Sequence, residues 1–138
     1  MLPPIILSIA GSDCSGGAGI QADIKTISAL GGYAASVITA VTAQNTLGVQ
    51  SVYPIPADMV KAQITSVMDD LRPDAVKIGM VHDAGIVTTI VDCLQTYTPE
   101  CIVYDPVMIS TSGRRLMKKP YKSLRRNCFR YAPSLLPT

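Results

Sequence analysis

The chain has 138 residues, 48% of them hydrophobic and 16% charged, which suits one small domain with a buried core and excludes a disordered chain or a disulfide-held miniprotein. Four cysteines without CxxC spacing and a single histidine, His82, supply too few ligands for a Cys/His zinc cluster and read as reduced thiols in a cytoplasmic protein. The net charge of +2 conceals an uneven distribution: residues 1–117 carry ten acids against six bases and residues 118–138 carry six bases and no acid, which argues against a nucleic-acid-binding face on the folded part.

The apolar start over residues 3–10 has no basic residue before it and stops at Gly11, too short for a signal sequence or a membrane span, and reads as a buried strand over 5–10. A glycine-rich turn over 11–19 follows. Ile20, Ile24, Ile27 and Leu30 then recur at helical spacing until Gly31 and Gly32 stop the helix. Residues 33–41 are β-branched enough for a second strand, and 51–55 form a short third one. Val60, Ile64, Val67, Met68 and Leu71 mark the buried stripe of a second helix, separated by Pro73 from a strand over 75–78. Asp83 can cap a third helix with Ile86, Val87, Ile90, Val91 and Leu94 inward, and a strand over 102–104 comes next. The alternation predicts an α/β fold with a mostly parallel, largely buried sheet. Ligands in such sheets bind beyond the carboxyl ends of the strands. Those ends carry Gly11-Ser12-Asp13, Thr42-Ala43-Gln44-Asn45-Thr46, Gly79-Met80 and Asp105-Pro106.

The glycine turn has the density of a phosphate cradle, but neither familiar version fits. Gly11 to Gly16 matches GxxxxG, yet Gly17 stands where a P-loop needs Lys. Gly17-Ala18-Gly19-Ile20-Gln21-Ala22 matches GxGxxA, but it starts too far from the strand and no acid lies between Asp23 and Asp58 to hold a ribose. What remains is a loop that lets backbone approach a small ligand or bend as a hinge, or simply a long turn. Asp23 falls inside the apolar stripe of its helix, where a carboxylate needs a partner; a ligand group and a structural hydrogen bond both meet that need. Gln44 offers the donor and acceptor that an aminopyrimidine or amide edge requires, although a loop glutamine is commonly just solvated. Met80 suits a core or a ligand stack. Asp105, before Pro106, suits Mg²⁺ or a phosphate-bound cation, or an Asx-type turn. His82 reads as a surface loop residue.

In this order, Ala10-Gly11-Ser12-Asp13-Cys14-Ser15-Gly16-Gly17-Ala18-Gly19-Ile20-Gln21-Ala22-Asp23, then Ser36-Val37-Ile38-Thr39-Ala40-Val41-Thr42-Ala43-Gln44-Asn45-Thr46-Leu47-Gly48-Val49, then Val76-Lys77-Ile78-Gly79-Met80, then Asp105-Pro106-Val107-Met108 with Thr111-Ser112-Gly113, closely resemble hydroxymethylpyrimidine/phosphomethylpyrimidine kinases of the ribokinase-like superfamily. The resemblance covers roughly residues 4–117. It implies a ribokinase-like sheet with crossover helices on both faces, and ATP- and Mg²⁺-dependent phosphorylation of 4-amino-5-hydroxymethyl-2-methylpyrimidine and its monophosphate in thiamine diphosphate biosynthesis. It also implies a cytoplasmic homodimer with no membrane or nucleic-acid partner. Carried over by position, Gln44 and Asp23 would hydrogen-bond the aminopyrimidine and the Val107 backbone would add a contact. Gly11, Ala18, Val41 or Thr42, and Met80 would wall the pocket, with Asp105 near the metal and phosphates. Asp23 is thereby assigned a ligand partner.

The same resemblance implies a glycine-rich strand–helix motif that builds the nucleotide site and carries the catalytic residue. This chain has no glycine after Gly113, so that motif is not found and no catalytic residue is assigned. Residues 118–138 lack a clean apolar period and contain Pro120, Pro133 and Pro137. They are expected to be a frameshifted or truncated reading of a longer kinase, with an authentic basic tail as the alternative. The chain so read holds the substrate half of a kinase site and turns over little alone. The other readings are a non-catalytic pyrimidine-binding module or a fragment of a pyridoxal-kinase-like enzyme. An incompletely covered sheet also predicts aggregation or dimerisation.

Overall fold

A computed structural model describes residues 2–81 and 84–105. His82, Asp83, Val107 and the basic tail therefore lie outside the described residues. The elements in chain order are β1 (Ile5–Asp13), α1 (Gly19–Ala29), β2 (Tyr33–Asn45), β3 (Gly48–Pro54), α2 (Ala57–Asp70), β4 (Ala75–Ile78), α3 (Ala84–Tyr97) and β5 (Cys101–Tyr104). They form one five-stranded sheet in the order β3-β2-β1-β4-β5. β1 pairs in parallel with β2 and β4, and β4 with β5. The expected parallel sheet thus gains one antiparallel member, because β3 folds straight back on β2 from Asn45 opposite Gly48.

Alternation along the strands divides the sheet between two helical layers. Leu7 and Ile9 of β1, Val37 of β2, Val76 and Ile78 of β4, and Ile102 and Tyr104 of β5 are buried in one core with Val60, Ile64 and Met68 of α2 and Ile86, Val87, Ile90 and Leu94 of α3. This is the apolar set the periodicity predicts, on the face where two helices pack together. α1 packs on the other side against β1 and β2. That face is more polar: Ser8 is fully buried there, with Lys77 opposite it in the β1–β4 register.

Helix ends follow local chemistry. α1 closes with a Schellman pair, in which Gly32 N–H donates to the Ile27 carbonyl and Gly31 N–H to that of Ser28, while Gly31 takes φ +89°. The stop predicted at these glycines is therefore real. The inward place predicted for Leu30 is not: it caps the helix and is 83% exposed, since the stripe ends one turn earlier. The β2 edge that β3 leaves uncovered is closed by Gln63 of α2. Its Oε1 accepts from Ile38 N–H at 2.9 Å and its Nε2 donates to the Ile38 carbonyl at 3.0 Å, as a neighbouring strand would.

Candidate substrate-binding site

Parallel pairing brings the carboxyl ends of β1, β2, β4 and β5 to one rim, and the polar residues there extend two strands beyond the lengths their patterns suggested. β1 runs on through Gly11, Ser12 and Asp13, and β2 through Thr42 to Asn45. Both extensions are held by side-chain hydrogen bonds as well as by the ladder.

The glycine turn is organised around Asp13, which is only 3% exposed. Its Oδ1 accepts from Ser15 N–H at 2.9 Å and Ser15 Oγ at 2.7 Å; its Oδ2 accepts from Gly17 N–H at 3.1 Å and Ala18 N–H at 2.8 Å. Burial pulls this carboxyl upward, but the Ser15 hydroxyl and the amides of Ser15, Ala18 and Gly17 outweigh it and hold it below the ordinary aspartate range. The amides that a phosphate cradle would offer are thus already engaged. The glycines answer to close approach instead. Gly19 has φ +59°, and a Cβ there would strike the Gly11 carbonyl oxygen; a Cβ on Gly11 would strike the Met80 thioether methyl. Asp13 was missed because its role depends on the turn around it, although a serine two residues after an aspartate is a recognisable Asx-turn signal.

Met80 is 7% exposed and packs with Ala40, with Val52 partly buried against them. Its carbonyl accepts from Thr39 Oγ1 at 2.6 Å. Next to this apolar wall, Thr42 Oγ1 donates to the Ser12 carbonyl and Gln44 Nε2 donates to Thr42 Oγ1, both at 2.7 Å. Cys14 meets the Gln44 backbone from the turn, its Sγ donating to the Gln44 carbonyl at 3.1 Å and accepting from the Gln44 N–H at 3.3 Å. Gln21 ties the start of α1 to the same place, with Nε2 donating to Ser12 Oγ at 2.7 Å and Oε1 accepting from Asp13 N–H at 2.8 Å. Gly11, Ala18, Thr42, Gln44 and Met80 thus belong to one connected constellation around the end of β1. Cys14, Gln21 and the Thr42 hydroxyl are contributors that the sequence patterns did not reveal.

Asp23 sits deeper, over mid-strand. Its Oδ2 accepts from Ser8 Oγ at 2.7 Å and pairs with Lys77 Nζ at 2.8 Å. A carboxylate on that face demands a partner, and through Oδ2 it has two in the protein itself. Lys77 Nζ lies beside the rim all the same, since a Cβ on Gly79 would be 3.1 Å from it.

Asp105 is exposed and extends the β4–β5 ladder, its N–H donating to the Ile78 carbonyl at 2.9 Å. Three strand spacings separate β5 from β2, roughly 14 Å. Among the described residues no three His, Cys, Asp or Glu side chains form a metal-holding group. A single exposed carboxylate fits one ligand to Mg²⁺ whose other positions are water and phosphate. The turn amides held by Asp13 do not fit the phosphates of a nucleotide.

A family pattern described as phosphomethylpyrimidine kinase matches residues 13–137. The chain belongs to the phosphomethylpyrimidine kinase family. It is 56% identical over 111 residues to the hydroxymethylpyrimidine/phosphomethylpyrimidine kinase of Escherichia coli (strain K12), covering 80% of this chain and 42% of that protein. Among solved structures, phosphomethylpyrimidine kinase from Clostridium difficile 630 is 52% identical with a TM-score of 0.80, over 93% of this chain and 54% of that one. Pyridoxal kinase from Staphylococcus aureus in complex with AMP-PCP is 28% identical with a TM-score of 0.74, over 96% of this chain and 46% of that one. The chain spans about half the length of these kinases, and its sheet is the ribokinase-like sheet they share. No helix among the described residues is long and apolar enough to cross a membrane.

Proposed function

We propose that this chain forms the pyrimidine-holding half of a kinase site that phosphorylates 4-amino-5-hydroxymethyl-2-methylpyrimidine and its monophosphate for thiamine diphosphate synthesis. The observation that carries the reading is the half-buried Gln44 amide beside the Gly11–Ala40–Met80 wall, with an oxygen that no described residue takes. A flat heterocycle stacked on that wall would give its amino group to Gln44 Oε1 and take an N–H at its ring nitrogen. Asp23, through the oxygen that Ser8 and Lys77 leave, and the Val107 backbone would add contacts. Ala18 and Thr42 would close the sides.

Phosphoryl transfer needs chiefly placement and charge neutralisation. These residues would do the first by fixing the heterocycle so that its hydroxymethyl group faces the rim and by keeping water off its faces. ATP is the expected donor, on the strength of the kinase relatives, and when bound would supply the transferred phosphoryl group. Asp105 is the expected carboxylate toward Mg²⁺. These 138 residues span about half of the related kinases, and by themselves they are expected to bind the pyrimidine while phosphorylating it hardly at all. Cytoplasmic location and a homodimer belong to the same reading.

Calorimetry with the hydroxymethylpyrimidine tests it. We expect measurable heat from the wild-type chain and a loss of at least about tenfold in affinity for Gln44→Ala. Binding unchanged by that substitution would remove Gln44 from the site. The likeness to pyridoxal kinase favours one alternative, a pyridoxal-type alcohol on the same wall; tighter binding of pyridoxal than of the aminopyrimidine would select it.

A further inference from the structure

The relay from Gln44 through Thr42 to the Ser12 carbonyl has a direction. A backbone carbonyl can only accept, so the single Thr42 proton is committed to Ser12 across 2.7 Å. The hydroxyl is then left as an acceptor toward Gln44, also at 2.7 Å. The reverse orientation of the Gln44 amide would set its oxygen against that acceptor with no proton between them. Thr42 is 4% exposed, so water has little opening to intervene. The amide is therefore held with Nε2 inward and with Oε1 taken by no described residue.

We infer that Thr42 is a positioning residue that makes the site select an amino group over a keto group on the heterocycle. This rests on the pyrimidine reading above. A 4-aminopyrimidine presents a donor beside an unprotonated ring nitrogen, which matches Oε1 and the remaining N–H of Gln44. The 4-oxo analogue presents the opposite order, an acceptor beside a ring N–H. A freely turning glutamine would serve both by flipping; one pinned by Thr42 leaves oxygen facing oxygen for the keto form.

The experiment compares the affinities of the 138-residue chain for 4-amino-5-hydroxymethyl-2-methylpyrimidine and for 5-hydroxymethyl-2-methylpyrimidin-4-one, in wild type, Thr42→Val and Thr42→Ser. Wild type and Thr42→Ser, which keeps the hydroxyl, are expected to favour the amino compound by about tenfold or more. Thr42→Val, which has the same shape and no relay, is expected to fall to within about twofold. A valine variant that discriminates as wild type does would overturn the role of Thr42 while leaving the pyrimidine site standing. Failure of wild type to bind either compound would remove the pyrimidine reading and this inference with it. A second readout needs no variant: in the ligand-free protein, one Gln44 Nε2 proton should exchange with water more slowly than its twin in nitrogen–proton spectra. Equal, solvent-like exchange of both protons would also overturn the relay.

Discussion

Asp13 gathers the glycine turn, and its buried carboxylate organises backbone donors of residues that are themselves exposed. Asp13→Ala hands the amides of Ser15, Gly17 and Ala18 over to water and is expected to cost about 1–2 kcal/mol in urea unfolding. The acid response follows in sign: the folded carboxyl titrates below its unfolded value, so its contribution is complete above about pH 4 and fades as pH falls through the folded value. Wild type should therefore lose stability below about pH 4 more steeply than Asp13→Ala, and parallel acid curves would contradict this. Two glycines separate packing from backbone strain. Gly11→Ala meets only the movable end of Met80, so stability should change by under about 1 kcal/mol while pyrimidine affinity falls as the wall shifts. Gly19→Ala meets backbone at positive φ and should cost about 2 kcal/mol or more.

At the level of elements, α1 is fastened to the sheet by a charged pin. Asp23→Leu leaves Lys77 largely buried without its counter-ion and is expected to destabilise by about 3 kcal/mol, of which Lys77→Met on the same chain should recover most. Additive losses would mean the pair is not coupled. The strands and helices themselves were readable wherever burial wrote a period: β4 lies at the residues the pattern marked, and the α2 and α3 stripes meet the core as expected. The rim was harder to read. Gly11 to Asp13 and Thr42 to Asn45 are polar and small, so no alternation signals that they stay in strand; their ladder and the Thr42 hydroxyl bond across it hold them there. The reversal of β3 against β2 also escaped, because Asn45 to Gly48 reads equally as the start of a loop. Asp23 was correctly marked as needing a partner, but Ser8 and Lys77 come from strands whose register cannot be read from one helix.

For the molecule as a whole, the two faces are unequally covered. Among the described residues β5 has a neighbour only through β4, and its Val103 is 38% exposed; Val41, Leu47 and Tyr53 stand out from the β2–β3 hairpin. An open strand edge and apolar surface favour self-association. Light scattering of the isolated chain should show a mass that rises with concentration, and a constant monomer mass would count against it. The rim is built differently from this uneven surround. Because Asp13 furnishes from within the chain the negative charge that glycine turns ordinarily borrow from a guest phosphate, the loop needs no visitor to take its shape. A ligand arriving there finds a finished socket and forfeits little entropy to loop ordering, so encounter geometry, not loop rearrangement, should govern how quickly it settles.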